Sequence, residues 1–310
     1  MFNMKKKNYK KTRSGKNIRI SNSDKIFYAV VFVLVSLVFL VTLYPLVYIV
    51  SASFSSARAV STGQVVLWPV EFSLDGYKEV FGNKDIARGY VNTIFYTCFG
   101  TFINVAVTMM AAYPLSRSDF KGRNKLAFIF TFTMLFNGGM IPTYLVVNGM
   151  GLTDTVWAMV LPNALSVYNM IVARTFIQNN IPNEMLQAAQ IDGCSDTRYF
   201  FSMVLPLSKT VIAVITLFYA VGHWNSFFNA FLYLNDRSRY PLQIILKEIL
   251  VSSKIEANML MDAEQMDAKQ GLAELLKFSL IIVATVPILC VYPFVQKYFV
   301  KGVMVGSVKG

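Results

Sequence analysis

Charge is what this sequence has least of: 15% of its 310 residues are Asp, Glu, Lys or Arg, against 55% hydrophobic. Soluble domains carry about 25% charged residues, so an ordinary water-facing surface is excluded. Histidine occurs once, at His223, with no acidic residue in the apolar run around it. One imidazole alone cannot assemble nucleophilic or general-base chemistry, so the chain is expected to be no enzyme by itself. No G-x-x-x-x-G-K-[ST] run occurs, which excludes the usual phosphate cradle for ATP. Cysteine is scarce too. Cys98, Cys194 and Cys290 offer neither a disulfide framework nor metal-ligand spacing, and no metal or cofactor is expected in this chain.

Long apolar runs are what the sequence has instead. Mean hydropathy is +0.48, and the runs at 26–50, 90–113, 126–147, 155–177, 211–234 and 275–298 each approach or exceed the roughly 20 residues that cross a bilayer. The fold class expected is an all-α polytopic membrane protein with six transmembrane helices. A cleaved signal is disfavoured for the first run because a signal's apolar region is only about 7–15 residues. Around these runs the chain is expected to divide into a basic tail at 1–25, a membrane domain at 26–300 that contains a moderately polar loop at 180–207, and a short tail at 301–310.

The net charge of +12 would suggest nucleic acid in a soluble chain, yet nine of the 29 basic residues precede Ile26, ahead of an apolar run. Orientation in a membrane explains them, and no nucleic acid is expected. With the N-terminus inside, nineteen basic residues fall on inner segments and nine on outer ones. This places both termini and the 180–207 loop in the cytoplasm. The outer side then holds 51–88, with a short helix near 74–80, and 235–274, with an amphipathic helix near 242–251.

Breakers divide several runs. Asn137, Gly138, Gly139 and Pro142 interrupt the third, either as a hinge beside a pathway or as small residues for close helix packing. Pro114 is expected to end the second span, and Pro287 and Pro293 to break the sixth. In the fourth, Asn163, Tyr168 and Asn169 form a polar stripe.

The stretch 184–207, EMLQAAQIDGCSDTRYFFSMVLPL, is polar between two apolar runs and too long for a plain loop. Pro182 can open a helix, Glu184 suits the positive end of its dipole, and Gly193 breaks it. Ser195 or Asp196 can cap a second helix that carries Phe200, Met203, Val204 and Leu207 at helical spacing. Helix, sharp turn, helix is the reading.

That stretch resembles the EAA loop of permease subunits of binding-protein-dependent ABC importers. Glu184, Ala188, Ala189, Asp192, Gly193 and Leu205-Pro206-Leu207 carry the resemblance. Gln187 departs from it, standing where the family has its glutamate, so an ion pair made there is not expected of this chain. NGGMIPTYLVVNGMGLTDTVWAMVLPNALSVYN, WNSFFNAFLYLND and PFVQKYFVKGVMVGSVKG are similar to carbohydrate-uptake permeases that work with lipoprotein-anchored oligosaccharide-binding proteins. The resemblance implies a bacterial cytoplasmic-membrane permease with a homologous second permease, two ATPase subunits holding ATP and Mg²⁺, and an external binding protein. It also implies that Glu184, Gln187, Ala188, Ala189, Asp192, Gly193, Phe200, Leu205 and Pro206 face the ATPase and couple hydrolysis to alternating access.

Sugar recognition needs hydrogen bonds to hydroxyls and flat faces for ring C–H surfaces. In GHWNSFFNAF, a continuous helix would set Trp224 and Phe228 on one face with Asn225 and Asn229 beside them, next to His223. These five line the expected substrate path, with Tyr144, Asn163, Tyr168 and Asn169 as further wall residues. The competing reading makes Trp224 and the phenylalanines core anchors and His223 and Asn225 interhelical hydrogen-bonding groups. A secondary transporter driven by an ion gradient is the alternative function, though the spans hold almost no acidic residue for such coupling. A membrane scaffold or receptor subunit without transport is a third.

Overall fold

The structure, a computed structural model, describes residues 22–258 and 263–307, with side-chain surroundings for all of these except 253–258, 263–268 and 294–307. Most of the expected basic tail at 1–25, and residues 308–310 of the expected C-terminal tail, therefore lie outside the described residues. Every regular element among those described is helical.

The chain divides after Tyr48 into two compact units. The first contains most of α1 (Asn22–Ser53), whose 32 residues include one proline, Pro45. Its composition alone makes it a bilayer-length rod.

The second unit is built around α4 (Lys84–Ser116), capped by Asn83, whose side chain accepts from Asp85 N. Before it come α2 (Ala57–Ser61) and α3 (Asp75–Gly82), the latter the short helix expected near 74–80. Pro114 does not end α4, which runs on to Ser116 because a proline costs one backbone bond and its neighbours hold the last turn.

The third run is two helices, α5 (Arg123–Leu135) and α6 (Met140–Gly149), bent by 113°. Asn137 Oδ1 accepts from Gly139 N in the break, and an added Cβ at Gly139 would meet nothing within 4 Å.

The fourth run, expected as one span, breaks as well. α7 (Val156–Val160) and a 3-10 turn to Asn163 meet α8 (Val167–Asn180) at 54°. Ser166 caps α8 by accepting from Asn169 N. Next come α9 (Asn183–Ile191) and α10 (Asp196–Tyr199), which passes through a π-turn at Phe200–Val204 into α11 (Leu205–Leu207). Pro182 precedes the first turn of α9 as its cap rather than standing inside it.

The fifth run is α12 (Lys209–Trp224) followed, after a break at Asn225, by α13 (Phe228–Tyr233). α14 (Leu242–Asn258) is the amphipathic helix expected near 242–251 and outlasts its expected end. α15 (Ala263–Ser307) is continuous, so Pro287 and Pro293 do not break the sixth run, and 301–307 continue the helix. By length and composition, three helices can cross a membrane, or six runs if each bent pair counts once, among the described residues.

Two apolar clusters position the sites. Met109, Met170, Tyr199, Phe200, Val204 and Ile215 join α4, α8, α12 and the π-turn. Ile86, Leu242, Ile245, Leu276 and Leu280 join α4, α14 and α15. Contacts of this kind supply the van der Waals attraction on which helix association in lipid depends.

Candidate functional site

The 184–207 stretch forms an elbow. Gly193 takes φ +72°, Gly193 N donates to Gln190 O at 3.1 Å and Cys194 N donates to Ala189 O at 2.9 Å. These are the two bonds that close a helix through a left-handed residue, which glycine enters without a Cβ penalty. Ser195 then caps α10, accepting from Arg198 N at 3.3 Å.

One face of α9 is offered outward. Glu184, Gln187, Ala188, Asp192 and Gly193 are exposed, while Leu186 and Ala189 are buried. Phe200 is buried and Leu205 half-buried, so these two anchor the elbow from inside, whereas Pro206 is exposed. Ile191, which the motif does not mark, is 87% exposed at the tip.

Arg117 fixes the elbow to the end of α4. It pairs with Asp119 and, at 2.5 Å, with Asp196 at the start of α10, and Nη1 donates to Tyr113 OH at 3.2 Å. The bond to Asp119, with Asp196 adding to it, holds the guanidinium above its ordinary range, and Arg117 in turn holds the Asp119 carboxyl below its own. Arg174 Nε donates to Leu115 O at 2.9 Å, tying α8 to the same terminus. Residue type predicted neither the Arg117–Asp196 pair nor the Arg174–Leu115 tie, because those partners are remote in sequence.

A cavity of about 410 Å³ lies between α4, the break in the fourth run and α12, lined by Asn104, Asn163, Ser166, Tyr219, His223 and Asn229 among others. Asn104 Nδ2 donates to Asn163 O at 2.5 Å, which fixes the amide's orientation. Its Oδ1 faces His223 Nε2 at 2.8 Å, so this nitrogen carries the proton. Tyr219 OH accepts from Ser166 N at 2.9 Å and shares a hydrogen bond with Thr108 Oγ1 at 2.7 Å. The backbone groups that the break sets free are therefore held by side chains of two other helices, as an apolar surrounding demands. Gly100 makes room: a Cβ there would stand 2.5 Å from His223 Cε1 and Nε2.

Of the expected path residues, His223, Asn163 and Asn229 meet in this cavity. The others do not. Because α12 ends at Trp224, Trp224 and Phe228 do not share a helix face. Trp224 is buried and donates through Nε1 to Ala284 O at 3.0 Å, a packing tie to α15. Asn225 bonds Val221 O within its own turn, and Phe228 and Tyr168 are exposed. Tyr144 stacks on Tyr233, and Asn169 is buried away from the cavity lining. Asn104 and Tyr219, which pattern reading passed over as isolated polar residues, carry the site. Amides, hydroxyls and one imidazole without a carboxylate can hold a hydroxylated ligand but not cleave it. Among the described residues no group of His, Cys, Asp and Glu is arranged for a metal.

No family model matches the chain. The polygalacturonan/rhamnogalacturonan transport system permease protein YtcP of Bacillus subtilis is 43% identical over 272 residues, spanning 87% of this chain and 94% of that protein. Protein LplC of the same organism is 43% identical over 270 residues, spanning 87% and 90%. A chain in the crystal structure of a bacterial ABC transporter involved in the import of the acidic polysaccharide alginate is similar over 90% of this chain and 98% of its own, with 35% identity and a TM-score of 0.80.

Proposed function

The chain belongs to the permease family of carbohydrate ABC importers, and from that premise we propose that it carries an acidic oligosaccharide inward by alternating access. The substrate class rests on the relatives named for polygalacturonan and for alginate. A homologous permease completes the pathway, two ATPase subunits receive the elbow, and an external binding protein delivers the sugar. Both termini face the cytoplasm, as the bias of basic residues favours.

The observation that carries the coupling is the joint at Arg117: an exposed helix face ends in a glycine turn, and the helix after the turn is ion-paired to the end of α4. Force applied to α9 reaches α4 through that joint. The polar cavity lies against α4 farther along the same helix, so a shift of α4 alters its walls. Coupling requires contacts that differ between the two states, and the bonds of Asn104 to the broken fourth run are placed to differ.

The test is uptake of trigalacturonate into proteoliposomes holding the full complex with its binding protein. Uptake should require ATP in the ATPase-facing compartment and persist when ionophores collapse all ion gradients. Uptake that continues without ATP but stops with the gradient would establish the secondary-transport reading instead.

A further inference from the structure

A second recess, of about 530 Å³, opens between α13, α14 and α15, and its walls include Phe227, Gln243, Lys247, Lys277, Leu280 and Ala284. Its chemistry differs from that of the neutral cavity. Lys247 Nζ sits 4.4 Å from the centroid of Phe227 and 4.8 Å from that of Phe231, two rings stacked 5.8 Å apart. The rings hold the ammonium in place by attraction to their faces without neutralising it. Lys277 is half-buried and lies inside the apolar window Lys269–Pro293. None of the ion pairs among the described residues involves either lysine.

A cation in a membrane span is costly, and such residues mark substrate pathways. Lys277 is such a cation, and Lys247, on the α14 helix outside the apolar runs, shares its recess together with an aromatic face and an amide. The break after Trp224 lies between this recess and the neutral cavity: Phe227 lines one, and Ser226 and Asn229 line the other. We propose that the recess binds the carboxylate of a uronate-type sugar residue, with Lys247 and Lys277 as its two ammonium donors and Phe227 as the surface under the ring. The assignment rests on the reading of the chain as an oligosaccharide importer and adds where the charge of the cargo is recognised.

The test compares Lys247→Gln, Lys277→Gln and the double variant with the matching Arg variants. Each is assembled with the second permease, the ATPase pair and the binding protein in phosphatidylcholine vesicles. Uptake of trigalacturonate and of its carboxyl-reduced galactose trisaccharide is followed under ATP, with recovery of the intact complex as the control for folding. The double Gln variant should raise KM for trigalacturonate by about tenfold or more, the size of a lost charge-assisted hydrogen bond. Its KM should also lose the rise with added salt that the unsubstituted complex shows, and the Arg variants should stay within about threefold of the unsubstituted complex. An unchanged KM for trigalacturonate, or equal losses for both sugars, overturns the site while leaving the importer reading in place. A loss seen only when the vesicles contain phosphatidylglycerol assigns the lysines to anionic lipid and also overturns it. If the unsubstituted complex takes up the reduced sugar under ATP but not trigalacturonate, the acidic-substrate reading falls and this site with it.

Discussion

The elbow at Gly193 and the break at Asn163–Ser166 both reverse or bend a helical path, and they satisfy their freed backbone groups by opposite means. At the elbow the solution is local: a left-handed glycine, a Ser195 cap and two main-chain bonds within six residues. At the break the solution is remote, with Asn104 and Tyr219 reaching in from α4 and α12. The difference follows from solvent. Where water reaches the chain, any group missed by a cap is hydrated at little cost; in an apolar surrounding the neighbouring helices must supply the partner. The elbow can thus be gripped and moved without disturbing its own bonds. The break cannot move without changing its partners.

Substitutions can sharpen or break this contrast. The largest effect is expected for Gly100→Val, which drives a side chain into the His223 ring and separates it from Asn104. A cost of about 2 kcal/mol, typical of overpacking, should appear as a lower unfolding midpoint in thermal scans of the purified complex, with uptake lost. Asn104→Leu comes next. It leaves Asn163 O and His223 Nε2 without their partner, a loss of about 1–2 kcal/mol measurable in the same scans. The smallest effect on stability belongs to Asp196→Ala, which removes a mostly exposed partner of Arg117 and should cost about 0.5 kcal/mol. Its signature lies elsewhere: sugar transported per ATP hydrolysed should fall while the unfolding midpoint stays within a degree or two. If Asp196→Ala lowers the midpoint as far as Asn104→Leu, the two sites are held alike and the contrast is wrong.

How much could be read beforehand divides along the same line. The glycine turn of the elbow was legible to the residue and its cap to one of two, Ser195 or Asp196, because both act on their own neighbours, while the π-turn that interrupts the second helix at Phe200–Val204 was not. The helical class and the positions of the apolar runs were legible from composition and length. The bend after Trp224 was not: no proline or glycine stands at Asn225–Phe227, and the segment scans as one helix. Nor was the continuity of α15 through Pro287 and Pro293, since proline subtracts one bond and a long apolar helix keeps the rest. The neutral cavity drew most of its lining from positions that had seemed unremarkable, Asn104 and Tyr219 among them, which only the packing of α4, α8 and α12 brings together. Arg117 and Asp196 lie far apart in the chain, and no periodicity links them.

The open space around Gly193, where an added Cβ would touch nothing within 4 Å, means that the turn demands a hand rather than a size. An L-residue is strained there by torsion alone, whereas its mirror image favours positive φ as naturally as ordinary residues favour negative. A D-alanine placed at 193 by chemical ligation would fit as glycine does and stiffen the unfolded chain besides. A permease chain carrying it should be more resistant to heat than the natural one, whereas its L-alanine twin should be less stable than either.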